Sequence, residues 1–108
     1  MIAGATEIDR IVERIVHCTD VRAIYLFGSN AKGTASLKSD VDVLLVGPSR
    51  LPPPLRTKNL VAELRLFATD FDLVFLTPEE FDEERSDPHS FVSLVMRTAR
   101  QVYPRAEA

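Results

Sequence analysis

Apolar residues recur at Ile8, Ile11, Val12, Ile15 and Val16 with the three-to-four spacing of one helix face, which predicts an amphipathic helix at the start of the chain. Thr6, with Asp9 three residues on, resembles a capping box in which aspartate replaces the usual glutamate or glutamine. The period then changes. Ala23 to Phe27 is a short apolar run that stops at Gly28, the pattern of a strand entering a turn. From Asp40 to Val46 the alternation puts Leu44 and Val46 on one face and Val41, Val43 and Leu45 on the other, and a strand that is apolar on both faces belongs inside a sheet. The stretch from Gly47 to Pro54, with four prolines, interrupts the pattern before Leu60, Val61, Leu64 and Phe67 resume helical spacing. A third strand is expected over Asp70 to Leu76. Thr77, Pro78 and Glu80 then supply a cap, a first-turn proline and a capping-box acid for the next helix. Ser90 can cap a last helix through Phe91, Leu94, Val95 and Thr98, and Gln101 to Tyr103 suits a short edge strand. The expected order is α-β-β-α-β-α-α with a final β.

Composition narrows the setting. A chain of 108 residues is expected to be one domain, residues 1–108, able to bury roughly two thirds of its unfolded surface. With 45% hydrophobic and 27% charged residues, disorder is not expected. A net charge of −3 argues against a protein that grips nucleic acid over its whole surface. Cys18 is the one cysteine, so an internal disulfide and a cysteine-based zinc site are both excluded, and a reducing cytoplasm fits best. The N-terminus lacks a basic start followed by an apolar stretch, and no run approaches the roughly 18 apolar residues of a membrane span. A soluble, unexported protein is expected.

Candidate chemistry gathers at two places. Asp40 and Asp42 project to the same side of their strand, and two like charges held that close call for a divalent cation, a hydrogen-bond network or protonation. Eleven residues before Asp40, Gly28-Ser29 forms a turn able to approach phosphate closely, through a glycine backbone, a hydroxyl and the amides that follow. Each feature is weak alone: a bare Asp-x-Asp is more often a turn residue beside a solvated one, and Gly-Ser more often an ordinary turn. Together they favour magnesium, a hard cation suited to carboxylate and phosphate oxygens. If the third strand lies beside the second, a third acid joins them. Asp70 and Asp72 share a face, and Asp72 is preferred because it abuts its apolar run as Asp42 does. Such a trio suits two metal ions about 3.5–4 Å apart and an in-line phosphoryl or nucleotidyl transfer. His17, His89 and Cys18 have no companions at ligand spacing. The basic residues Arg50, Arg56, Lys58 and Arg65 read as a solvated face.

The whole pattern Gly28-Ser29-Asn30-Ala31-Lys32-Gly33, five residues, then Ser39-Asp40-Val41-Asp42, resembles the signature of the minimal nucleotidyltransferases, the MNT group of the DNA polymerase β-like superfamily. The likeness runs from about Val21 through Phe71-Asp72-Leu73-Val74 to the Tyr103 end. It implies an α/β (α+β) fold, a small mixed sheet flanked by helices. It also implies magnesium on Asp40 and Asp42, Asp72 completing the site and serving as base for the acceptor hydroxyl, and Gly28 and Ser29 holding a nucleoside triphosphate. Lys32 stands where members often carry arginine, keeping the charge but losing the bidentate fork. Ser39 is expected to orient Asp40 or touch the triphosphate.

Larger relatives carry further domains to hold the acceptor, whereas here the sequence stops soon after the expected sheet, so the acceptor is expected to come from outside. Proteins resembling this one are often antitoxins paired with helical HEPN ribonuclease toxins, and some transfer AMP from ATP to a toxin tyrosine. The expected function is magnesium-dependent transfer of a nucleoside monophosphate, AMP from ATP, onto a HEPN-type partner, with any oligomer formed through that partner. The competing readings are an antitoxin acting by occlusion and transfer to a small molecule such as an aminoglycoside. Neither membrane nor direct nucleic-acid binding is expected.

Overall fold

The computed structural model describes residues 5–28, 41–67 and 70–104. Helix α1 spans Ala5–Cys18 and buries Ile8, Ile11 and Ile15 along one stripe, as the periodicity requires. The described helix includes Thr6. Strands β1 (Ala23–Phe27), β2 (Val41–Val46), β3 (Phe71–Leu76) and β4 (Arg100–Tyr103) form one sheet in the order β3-β2-β1-β4. β1 runs antiparallel to both β2 and β4, while β2 and β3 are parallel. The sheet is mixed, and β2 lies inside it as its two apolar faces anticipate.

The two faces of β2 feed two cores. Val41, Val43 and Leu45 pack with α1 and with Leu60 and Leu64. Leu60 belongs to α2 (Lys58–Glu63), and Leu64 to the 3-10 turn Leu64–Leu66 that continues it. Leu44 and Val46 pack on the opposite side with Phe81, Val92 and Val95. Those residues come from α3 (Pro78–Arg85) and α4 (Phe91–Met96). The caps expected at Thr77 and Ser90 are present. Thr77 Oγ1 accepts the Glu80 N–H at 3.2 Å while Glu80 Oε1 accepts the Thr77 N–H at 2.9 Å, and Ser90 Oγ accepts the Ser93 N–H at 3.1 Å.

Two expectations need correction. In α4 the residues that reach the core are Val92 and Val95, whereas Phe91 and Leu94 are 46% and 62% exposed. A six-residue helix covers the sheet with one turn, so one i, i+3 pair takes the inward stripe and its neighbours are left outside. Arg56 does not belong to a solvated basic face. Its side chain is 7% exposed, its Nη1 and Nη2 donate to Glu80 Oε1 and Oε2 at 2.5 and 3.2 Å, its Nη1 donates to the Phe75 carbonyl at 3.2 Å, and its Nε donates to the Leu51 carbonyl at 2.9 Å. The guanidinium thereby ties the proline-rich connection to the end of β3 and the start of α3.

Candidate active site

The C-terminal end of β1 and the N-terminal ends of β2 and β3 meet at one edge of the sheet, because β1 is antiparallel to β2 and β3 is parallel to it. In this register Asp42 is the partner of Asp72 across β2 and β3, and of Phe27 across β1 and β2. Leu44 pairs with Val74 and Val46 with Leu76, and all four belong to the core under α3 and α4. Alternation therefore points Asp42 and Asp72 to that same face, one strand spacing of about 4.8 Å apart at the backbone. Asp42 is half-buried and Asp72 exposed. Asp70 lies just before β3, and its carbonyl accepts the Val41 N–H at 2.9 Å.

Gly28 follows β1 with φ +72°, in the left-handed region that glycine enters without steric cost. A Cβ built at this position would collide with the Asp42 carboxylate, so the backbone of the Gly28 turn lies directly against that acid. The sequence suggested a glycine for close approach to phosphate; the neighbour that excludes a side chain here is the Asp42 carboxylate. Ser29, Lys32, Ser39 and Asp40 lie outside the described residues. Among the described residues no group of three or more histidine, cysteine, aspartate or glutamate side chains gathers as a metal site. The pair Asp42 and Asp72 does have the chemistry a hard divalent cation takes: carboxylate oxygens from adjacent strands on one face, beside a turn that leaves room for no side chain. These residues fit magnesium or manganese.

Two aromatic side chains complete the surroundings. The Phe27 ring meets Phe91 edge-on, with centroids 5.9 Å apart and planes at 84°. Sequence periodicity assigned Phe91 to a buried stripe and so overlooked it, and its position at the first turn after a serine cap was the available signal. His17 lies away from this edge, lining a shallow groove with Arg10, Glu13, Arg14, Leu66 and Phe67. His89 sits in a turn where its N–H donates to Asp87 Oδ1 at 2.9 Å, and Cys18 is exposed.

Over residues 6–104 the chain matches the nucleotidyltransferase domain, so it belongs to that family and is an enzyme of the nucleotidyltransferase class. Its fold is the polymerase β-like nucleotidyltransferase one. A chain from a toxin–antitoxin crystal structure with AMP-PNP superposes with a TM-score of 0.62 at 21% identity, covering 88% of this chain and 71% of that one. The complex of a tri-AMPylated Shewanella oneidensis HEPN toxin with its MNT antitoxin gives 0.55 at 19%, covering 88% and 67%. A Sulfolobus solfataricus protein described as a nucleotidyltransferase gives 0.52 at 25%, covering 70% and 68%. No curated protein matches significantly.

Proposed function

We propose that this protein is a magnesium-dependent adenylyltransferase that moves AMP from ATP onto a HEPN-type partner protein, as the antitoxin of a two-component module. The observation that carries the site assignment is the register of Asp42 opposite Asp72 with Gly28 packed on the Asp42 carboxylate. The partner reading is supported by the fold shared with an MNT antitoxin whose HEPN toxin is AMPylated.

Asp40, Asp42 and Asp72 would hold the metal ions, two in number, and Gly28, Ser29, Lys32 and Ser39 would hold the triphosphate. When bound, magnesium supplies Lewis acidity to the α-phosphate and charge neutralisation to the leaving pyrophosphate. The acceptor hydroxyl oxygen forms a bond to the α-phosphorus as the bond from that phosphorus to the bridging oxygen breaks. Pyrophosphate leaves, and Asp72 takes the hydroxyl proton. Gly28 keeps side-chain bulk out of the space between turn and acid, and Asp42 would hold a metal ion at the start of β2. Work in the cytoplasm, where ATP is supplied, fits this chemistry.

The test is incubation of the protein with ATP labelled at the α-phosphate, magnesium and the partner encoded beside it. Label should pass to the partner with the wild-type chain and not with Asp42→Asn. No transfer to that partner, together with transfer to an aminoglycoside, would replace the acceptor reading.

A further inference from the structure

Phe91 opens α4 with 46% of its surface exposed, although Val92 and Val95 of the same helix are buried. Its position is fixed from one side by the edge-on contact with Phe27 at 5.9 Å. Phe27 is in turn the cross-strand partner of Asp42. A T-shaped contact occupies at most one face of a ring, so Phe91 keeps a face for a further planar partner. The acid pair and this ring are thus joined through one residue, and they lie at the same edge of the sheet. A nucleotide has the matching layout: charged phosphates at one end and a flat base at the other, separated by a sugar.

We propose that Phe91 is the platform on which the base of the nucleotide substrate stacks. The proposal rests on the nucleotidyl-transfer reading of the acid pair and extends it to the other end of the substrate. Stacking on an aromatic face is tolerant of base identity, since every base offers a π-face. Phe91 therefore contributes affinity shared by ATP and GTP and leaves selection between them to other groups. It also explains why no spaced motif marks the base site, because a single ring on a short helix leaves no repeat pattern.

Calorimetric titration of the full chain with ATP, GTP and inorganic tripolyphosphate, each with magnesium, tests this. Phe91→Ala should weaken ATP and GTP by roughly ten- to a hundredfold while leaving tripolyphosphate unchanged, and Phe91→Trp should bind both nucleotides at least as well as wild type. Phe91→Leu, which keeps the apolar contact with Phe27 and loses the π-face, should behave as Phe91→Ala does, and circular dichroism checks that each variant folds. Equal ATP affinity in wild type, Phe91→Leu and Phe91→Ala overturns the platform while leaving the transferase reading intact. Parallel loss of tripolyphosphate affinity in a folded variant overturns it too, because the ring would then be shaping the phosphate site. Failure of wild type to bind either ATP or tripolyphosphate defeats the transferase reading itself, and the platform with it. If Phe91→Ala releases the partner protein and still binds ATP normally, the ring is a protein-docking residue instead.

Discussion

At Gly28 two independent requirements fall on one residue: a positive φ and an absent side chain beside the Asp42 carboxylate. An alanine in the left-handed region costs roughly 1–2 kcal/mol, and its methyl group must also displace the acid. Gly28→Ala should therefore lower unfolding free energy by about that amount and reduce AMP transfer by roughly a hundredfold, the scale at which small misplacements act on catalysis. Denaturant titration and initial-rate assays on the same preparation separate the two effects. The third acid was ambiguous in the sequence, since alternation puts Asp70 and Asp72 on one face. The register pairs Asp72 with Asp42, while Asp70 precedes the strand and uses its carbonyl on Val41. Asp72→Asn should cut single-turnover transfer by ~10²–10⁴-fold, the usual worth of a general base, while most ATP affinity remains. Asp70→Asn should stay near wild type. The reverse ranking would move the base to Asp70.

The elements were legible where the signal was local and hidden where it was not. Thr77 and Glu80 are three residues apart, so their capping box could be read directly, and the structure contains it. Arg56 reaches the same Glu80 from 24 residues away, and no local pattern announces such a partner. Its hydrogen bond, with the Thr77 backbone N–H, pulls the Glu80 carboxyl from its ordinary 4.5 to about 2. A carboxylate whose folded pKa is depressed stabilises the fold fully above its unfolded value and loses that contribution as pH falls toward the folded one. The Glu80 contribution should thus be complete above pH 4.5, decline between pH 4.5 and about 2, and vanish below. Because the Glu80 side chain is 38% exposed, solvent screening keeps its worth near about 1 kcal/mol. Guanidinium titrations of wild type and Glu80→Gln should differ by that amount at pH 7 and converge as pH falls through this window. Arg56→Ala, which also abandons the Leu51 and Phe75 carbonyls, should cost about 1–3 kcal/mol. An unchanged midpoint for Arg56→Ala would show that the tie contributes nothing.

Across the whole molecule, element order and the inside position of β2 followed from periodicity, but strand order and direction did not. Sequence alternation reports which faces are apolar, not which strand lies alongside which. The parallel pairing of β2 with β3 is what brings Asp72 to Asp42, and it is a long-range choice made by packing two cores on opposite faces of one sheet. The remaining candidates lie outside the described residues: Asp40 and Ser29 are read from alternation and turn chemistry, Lys32 and Ser39 from resemblance to a signature. Under the proposed antitoxin reading, this geometry also separates two ways of acting. Asp42 and Asp72 sit at one edge of the sheet, and neither supports either core, so the double variant Asp42→Asn, Asp72→Asn should fold and present an unchanged surface elsewhere. If catalysis neutralises the partner, this variant should still co-purify with it yet fail to rescue cells expressing it, and mass spectrometry should find AMP on the partner only with the intact acids. Full rescue by the double variant, with an unmodified partner, would assign neutralisation to occlusion and leave the acid pair without a role in it.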